Sequence, residues 1–240
     1  MLSRLKSFIK LNFPNTTKIL RKIFLPYIEL KSSKYKKKRI KNFHLSASLI
    51  FTEFCDALND ANVEFWLTFG TLLGAIREKT FIAHDMDIDV AAFSDSDFDL
   101  VHKKLTEKGF VLSREIVIYT NNASEIGMEK TYTKKNVSID IFIFHKIDDK
   151  SVYTHDFLGG VEIGNLRIYK TVRTLTLPFT GLVDYNFLNN KVSIPINYQE
   201  YLSAHYGNDY MIPNPQWTTI TSPAAKIIKG AIGIVNLNNL

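Results

Sequence analysis

Residues 85–90 read Asp-Met-Asp-Ile-Asp-Val, and this alternation restricts the chain more than any other stretch. In an extended strand Asp87 and Asp89 share one face, while Ile88 and Val90 turn to the other and want a core. The segment is therefore a strand with one apolar side and one acidic side. Two carboxylates on one face repel each other in the absence of a cation. Mg²⁺ (or Mn²⁺) held by one or two carboxylates and a substrate phosphate relieves that repulsion. Two such ions can clamp the attacking and departing oxygens of an in-line displacement.

The residues before this strand fit the same chemistry. Glu64 to Thr68 reads as a short strand, with Val63, Phe65 and Trp66 supplying β-branched and aromatic character. Gly70 breaks it, and Thr71 stands at the N-cap position of a helix over 72–77 that ends at Arg77. A helix start after a glycine turn offers free N–H groups and the positive end of a dipole, which suits an anion. Arg77 adds a planar fork of donors for phosphate. Gly70, Thr71 and Arg77 are thus the candidate donor-phosphate contacts.

A third carboxylate comes from Val137–Phe144, the most strand-like run in the chain. Asp140 interrupts it with apolar neighbours on both sides. An acid in such a run is costly unless it is paired or metal-bound. Asp87, Asp89 and Asp140 are the expected catalytic and metal-binding set. Asp85 is expected behind them, orienting the turn or a metal-bound water.

Other readings of these acids fare worse. Counted from Asp85, a calcium loop would need glycine and glutamate where Val90 and Ser96 stand. An Asp-x-Asp pair of a sugar-nucleotide glycosyltransferase would also bind metal, but the Gly-Thr turn and the third acid argue against it. Asp95, Asp97 and Asp99 alternate too, yet on the helix expected from Asp95 to Lys108, capped by Ser94 or Asp95, they fan apart. The histidines (44, 84, 102, 145, 155 and 205) show no metal-ligand spacing, and none is assigned to a metal.

Three segments carry a family resemblance. FWLTFGTLLGAIREKTFIAHDMDIDVA resembles the signature of the LicD family, which also includes fukutin and the fukutin-related protein. The later IDIFIF resembles that family's third-aspartate strand. IPINYQEYLSAHYGNDYMIPNPQW, over 194–217, is similar to its C-terminal segment. His84 stands where the family often has tryptophan or tyrosine, and Met86 where it often has aspartate. The resemblance implies an α+β, nucleotidyltransferase-like mixed sheet flanked by helices. It also implies transfer of a phospho-alcohol from a CDP-linked donor, such as CDP-choline or CDP-ribitol, to a glycan or glycolipid hydroxyl with release of CMP. A nucleotidyltransferase that attaches NMP, and a non-catalytic membrane-bound assembly partner, are the competing expectations.

Charge is distributed unevenly. Residues 1–43 carry 13 of the 30 lysines and arginines and one of the 24 acids, so the rest of the chain is net acidic. Apolar clusters at Leu2, Leu5, Phe8, Ile9 and at Ile19, Leu20, Ile23, Phe24 alternate with these bases, and Pro14 and Pro26 should divide the arm into short helices. A basic amphipathic segment ending in Lys34–Arg39 suits an anionic membrane surface. Without a recognition fold it does not suit nucleic acid. Single Cys55 excludes an internal disulfide and fits a reducing compartment. The start shows no secretory h-region, and no run is long enough to span a bilayer. These features predict a cytoplasmic protein, peripheral on the inner face of the membrane.

The expected organisation is a basic arm over 1–43, a catalytic domain over 44–220 and an apolar tail over 221–240. A helix is expected from Asn42 to Ala61, strands over 110–119, 127–133 and 137–144, and a turn at Asn121-Asn122. Turns are expected at Gly159-Gly160 and Gly164, and a helix over 197–206 stopped by Gly207. Lys170 and Arg173 read as surface bases. The apolar AAKIIKGAIGIVNL reads as a packing or membrane-contacting helix.

Overall fold

From Phe43 onward, apolar side chains recur at helical spacing, and Phe43, Ala47, Ile50, Phe54 and Leu58 are all buried. In the computed structural model, which describes the backbone of residues 17–119 and 124–237, they form the inner face of helix α1 (Thr17–Asp60). The chain divides into two compact units, Met1–Asn42 and Phe43–Leu240. In the first, the helix runs through Pro26 without a break. Its flanks, rich in leucine, isoleucine, lysine and arginine, are sufficient helix formers to continue past a single proline. The expected break at Pro14, the residues before it and the turn at Asn121-Asn122 lie outside the described residues.

The second unit continues with β1 (Phe65–Leu67), α2 (Phe69–Arg77), β2 (Asp87–Phe93), α3 (Phe98–Glu107), β3 (Val111–Tyr119), β4 (Ser124–Lys134) and β5 (Val137–Asp148). Then follow β6 (Ser151–Ile163), β7 (Leu166–Pro178), β8 (Leu182–Phe187), β9 (Asn190–Pro195), α4 (Tyr198–Tyr206), β10 (Ala225–Ile227) and β11 (Ile232–Asn236). The architecture is α+β, as expected. Among the described residues the strands form one mixed sheet in the order β10-β7-β11-β3-β4-β5-β2-β1-β9-β8, with β6 between β5 and β7. The pairings close on themselves through β3, β4, β5, β6, β7 and β11.

Beside this ring β2 lies parallel to β5 and antiparallel to β1. Farther along the strands, the acids' own face is packed with aromatic rings, Trp66 standing opposite Ala91, two residues beyond Asp89. Trp66 lies 4.8 Å from Phe93 and 5.4 Å from both Phe144 and Phe179, ring centre to ring centre. The side away from the acids is apolar: Ile88, Val90, Ile139 and Ile141 are buried there, and Phe65, opposite Ala92, lies 5.9 Å from Phe54 of α1. Burying each of these apolar side chains contributes roughly 1.5–3 kcal/mol, so the apolar side fixes which face the strands present. A slip of one residue would turn the acids into it.

Several expectations are corrected. Helix α3 is capped by Asp97, whose carboxylate accepts from the Leu100 N–H at 2.9 Å, rather than by Ser94 or Asp95. Gly159 and Gly160 lie inside β6 rather than at a turn, and the reversal falls between Ile163 and Leu166, at Gly164 with its positive φ of 60°. The apolar C-terminal run forms β10 and β11 instead of a helix. Its β-branched Ile232, Ile234 and Val235 prefer extended backbone, and Gly230, at φ 78°, turns the chain between the two strands. Arg173 is no surface base: it is buried, ion-paired with Asp156, and donates to the carbonyls of Thr219 and Ile220. No described helix is long and apolar enough to cross a membrane.

Candidate active site

Strand β1 ends one residue too early to pair with Asp89: its last partners are Leu67 and Val90. The main-chain groups of Asp89 on that side would be left without a partner, and the turn into α2 takes them. The Asp89 carbonyl accepts from the Thr68 N–H at 3.3 Å, and the Asp89 N–H donates to the Thr71 hydroxyl at 2.8 Å. The Gly70 N–H then donates to Oδ2 of Asp89 at 3.0 Å. Thr68, Gly70 and Thr71 thus fix a single aspartate.

This geometry corrects the expected helix start. The N-cap is Thr68 and the helix begins at Phe69, so Thr71 lies in the first turn, fully buried, with its hydroxyl committed to Asp89. Thr71 does not line the cleft as a phosphate donor; it joins helix to strand. Phe69 adopts a left-handed φ of 40°, a conformation costing a bulky residue on the order of 1–3 kcal/mol. Its ring is held 4.7 Å from Phe142 and 4.8 Å from His205, and this packing offsets the strain.

Across the sheet the register forms a row. Asp89 is opposite Asp140 on β5, Asp140 is opposite Thr131 on β4, and Thr131 is opposite Arg114 on β3. The Thr131 hydroxyl and the Arg114 guanidinium both reach Oδ1 of Asp140, the arginine at 3.3 Å. Arg114 also pairs with Glu129. Sequence reasoning brought Asp87, Asp89 and Asp140 together but missed Arg114, Glu129 and Thr131. They stand on ordinary-looking strands, and only the register brings them to the acids.

Asp85, Asp87, Asp89 and Asp140 line one cleft of about 680 Å³, together with Gly70 and Arg77. Arg77 is ion-paired with Glu78 at 2.7 Å and donates to the Tyr210 carbonyl at 3.3 Å. One stretch of wall is aromatic: Tyr206 and Trp217 lie 4.4 Å apart, with His205 4.6 Å from Tyr206. Burial, with a smaller contribution from Arg173, lowers the His205 imidazole to about 3, so this wall is neutral.

The acidic wall is short of positive charge. Burial, then Asp87 and Glu78, pushes Asp85 up to about 7. Burial, then Asp87, Asp140 and Asp85, holds Asp89 well above the usual carboxylate range, and the Gly70 N–H offsets only part of this. Among the described residues no group of three or more His, Cys, Asp or Glu side chains stands arranged to hold a metal by itself. Asp89 and Asp140 are instead turned partly to protein donors. Mg²⁺ and Mn²⁺ do not need such a cage, because they take one or two carboxylates and complete their shell with water and phosphate. The crowded, hard-oxygen donor set beside an arginine-bearing cleft fits that chemistry.

Comparison with known proteins identifies the family. The family profile described as LicD/FKTN/FKRP, nucleotidyltransferase domain, matches residues 62–197, from just before β1 to just past β9. The chain is 28% identical over 184 residues to the human ribitol-5-phosphate transferase FKTN, covering 75% of this chain and 36% of that protein. It is 30% identical over 168 residues to the mouse protein of the same name, covering 69% and 33%. To the human ribitol 5-phosphate transferase FKRP it is 25% identical over 162 residues, covering 67% and 30%. The chain thus spans about a third of the length of these relatives. With the matched segment carrying the turn, the Asp87–Asp89 strand and Asp140, the chain belongs to the LicD/FKTN/FKRP family.

Proposed function

We propose that this protein is a divalent-metal-dependent transferase that moves a phospho-alcohol from a CDP-linked donor to a glycan hydroxyl and releases CMP. The observation that carries the reading is the side-by-side register of Asp89 and Asp140 in a cleft that also presents Asp87 and Arg77. A nucleoside diphosphate brings the negative charge and the phosphate oxygens that a cation between those carboxylates would share. The names of the relatives point to ribitol phosphate as the first alcohol to try.

Asp87 and Asp89, with Asp140, would hold Mg²⁺ or Mn²⁺, which when bound neutralises charge building on the diphosphate. Gly70 and Thr71 keep Asp89 in place, and Asp85 crowds the same corner. Arg77 lies along the cleft where its guanidinium can meet donor phosphate. The acceptor hydroxyl oxygen forms a bond to the phosphorus that carries the alcohol. Its proton passes to a carboxylate of the cluster, the bond from that phosphorus to the CMP oxygen breaks, and CMP leaves with the electron pair. Such reactions depend on positioning and charge neutralisation, which is what this wall of the cleft supplies. The basic residues 34–41, exposed or half-exposed, give an anionic membrane surface as the place of work.

The test is incubation of the purified protein with CDP-ribitol, CDP-choline and CDP-glycerol, each with Mg²⁺ and candidate glycan acceptors. Metal-dependent CMP release with one donor, lost on chelation, is the expected result. Pyrophosphate release from a nucleoside triphosphate would replace this reading with plain nucleotidyl transfer, and no metal-dependent nucleotide binding would mark a non-catalytic partner.

A further inference from the structure

The cleft continues past the acids. Strand β2 brings Asp87 and Asp89 to it and β5 brings Asp140, and beyond them β6 and β7 bring Asp156 and Leu175. Asp156 is gripped by Arg173, its partner across β7, which donates through Nε to Oδ1 at 2.8 Å and through Nη2 to Oδ2. The same guanidinium donates to the Thr219 carbonyl at 2.8 Å and to the Ile220 carbonyl at 3.1 Å. The Arg173 side chain is 6% exposed and that of Asp156 18%, so the pair meets the cleft through its carboxylate. A carboxylate has about four lone-pair sites, and Arg173 takes two of them. The arginine also ties Asp156 to the segment that carries Trp217. His205 secures that segment a second time, its Nδ1 3.0 Å from the Ser222 hydroxyl and its ring 5.3 Å from that of Trp217. Trp217 is half-buried and lines the cleft, and its indole N–H is buried with no acceptor among the described residues. A buried donor left over in this way costs free energy that a ligand oxygen recovers.

We infer that Asp156 and Trp217 form the acceptor subsite, which takes a pyranose whose hydroxyls donate to the Asp156 carboxylate and whose C–H face lies on the indole. The inference rests on the proposed transfer reaction and deepens it by naming what the acceptor's side of the cleft recognises. Attack in line with the departing oxygen brings the acceptor in on the face of phosphorus turned away from CMP. Donor phosphate is met by Arg77 on α2, the helix whose first turn is joined to Asp89 of β2. The acceptor then belongs beyond Asp140, where Asp156 and Trp217 stand. Arg173 already neutralises Asp156, so this end of the cleft calls for hydroxyl donors rather than for a cation. The indole offers a flat apolar surface with one polar N–H at its edge. A pyranose matches both, with C–H groups on one face and hydroxyls around its rim, whereas an open-chain alditol has no such flat face.

The test is saturation-transfer NMR on the full chain with the methyl glycosides of galactose, glucose, N-acetylgalactosamine and N-acetylglucosamine, each added with CDP and Mg²⁺ present. At least one pyranoside is expected to bind beside CDP without displacing it, with saturation strongest on the protons of one ring face. Asp156→Asn is expected to weaken that sugar roughly 10- to 100-fold, the scale of a lost charged hydrogen bond, and to leave the affinity for CDP unchanged. Trp217→Leu should abolish the one-face pattern, again without loss of CDP, and it decides the matter alone should Asp156→Asn not fold. A pyranoside that competes with CDP would overturn the inference and give the indole to the nucleobase. Binding of CDP but of no pyranoside would overturn it too, as would sugar binding untouched by either substitution, and in each case the transfer reaction stands. No binding of CDP with Mg²⁺ would sink the transfer reaction and the inference with it.

Discussion

The amide of Gly70 meets Oδ2 of Asp89 at 3.0 Å, and a side chain at position 70 would place its Cβ 3.0 Å from that same oxygen and 3.6 Å from Oδ2 of Asp85. The glycine of this turn thus serves a carboxylate of the protein itself, through an approach that only a missing Cβ allows. The two atoms that could close on the amide of residue 70, a methyl group and the Asp89 carboxylate, compete for one place.

Gly70→Ala should therefore separate stability from activity. Alanine favours an α-helix over glycine by up to about 1 kcal/mol, and residue 70 lies in the first turn of α2. The methyl group must push Asp89 aside by a few tenths of an ångström, out of its hydrogen bond. We expect the melting temperature to hold or rise slightly while kcat for CMP release falls by roughly 10- to 100-fold, given about 1.4 kcal/mol per factor of ten. Thermal unfolding and steady-state kinetics on the same preparation check this. A loss of stability without loss of rate would contradict it.

Thr71→Val tests the other half of the anchor. Valine keeps the shape but removes the hydroxyl that accepts the Asp89 N–H at 2.8 Å, leaving a part-buried backbone donor without its partner. Such a loss costs on the order of 1–3 kcal/mol. Denaturant unfolding should show that decrease, and activity should fall as well because Asp89 is freed to move. Equal stability in the two proteins would mean that the hydroxyl contributes little.

Much of this site was legible in the sequence because it obeys period-two arithmetic. Ile88 and Val90 declare the buried face of β2 and so place Asp87 and Asp89 on the other, and the apolar neighbours of Asp140 do the same for β5. What failed to show was whatever depends on register between strands distant in sequence. Arg114 meets Asp140 across β4, and nothing in the local pattern around Arg114 distinguishes it from a solvated base. The role of Thr71 was misread for a related reason: a threonine after a glycine is a good cap, but the cap is decided by where β1 ends. The C-terminal run mixes glycine, alanine and β-branched residues without a clear period, and its pairing with β7 and β3 decides for strand.

Asp89→Asn removes one charge from the crowded wall while keeping an oxygen for the Gly70 amide. Because burial and the neighbouring acids all disfavour the charged form of Asp89, the neutral isostere relieves the folded protein of that repulsion. We expect the metal-free variant to melt at a higher temperature than the metal-free wild type at neutral pH. CMP release should fall by at least about 10²–10³-fold, the scale of losing one electrostatic partner in an active site. Calorimetry without metal and a CMP assay with Mg²⁺ check the pair of outcomes. A variant that is both less stable and still active would remove Asp89 from the cation-binding set.

The raised carboxyls of the site make stability depend on pH. Asp85 and Glu129 are both raised to about 7, Asp85 by burial and then by Asp87 and Glu78, Glu129 by burial and then by Asp140, with Arg114 opposing. A carboxyl whose pKa is higher folded than unfolded binds more protons in the native state between the two values, so stability falls as pH rises through that interval. The unfolded values lie near 4, and the window therefore runs from about pH 4 to about pH 7. The metal-free protein should lose thermal stability across that range, against the usual gain seen when carboxylates are salt-bridged. Saturating Mg²⁺ with CDP should flatten the decline by supplying the missing positive charge, since a ligand that binds only the native state stabilises it by mass action. Melting temperatures measured at half-unit steps, with and without Mg²⁺ and CDP, decide the matter. A metal-free stability that climbs steadily from pH 4 to 7 would show that these acids are already fully compensated by the protein, and with that the case for a cation in the cleft would lose its electrostatic basis.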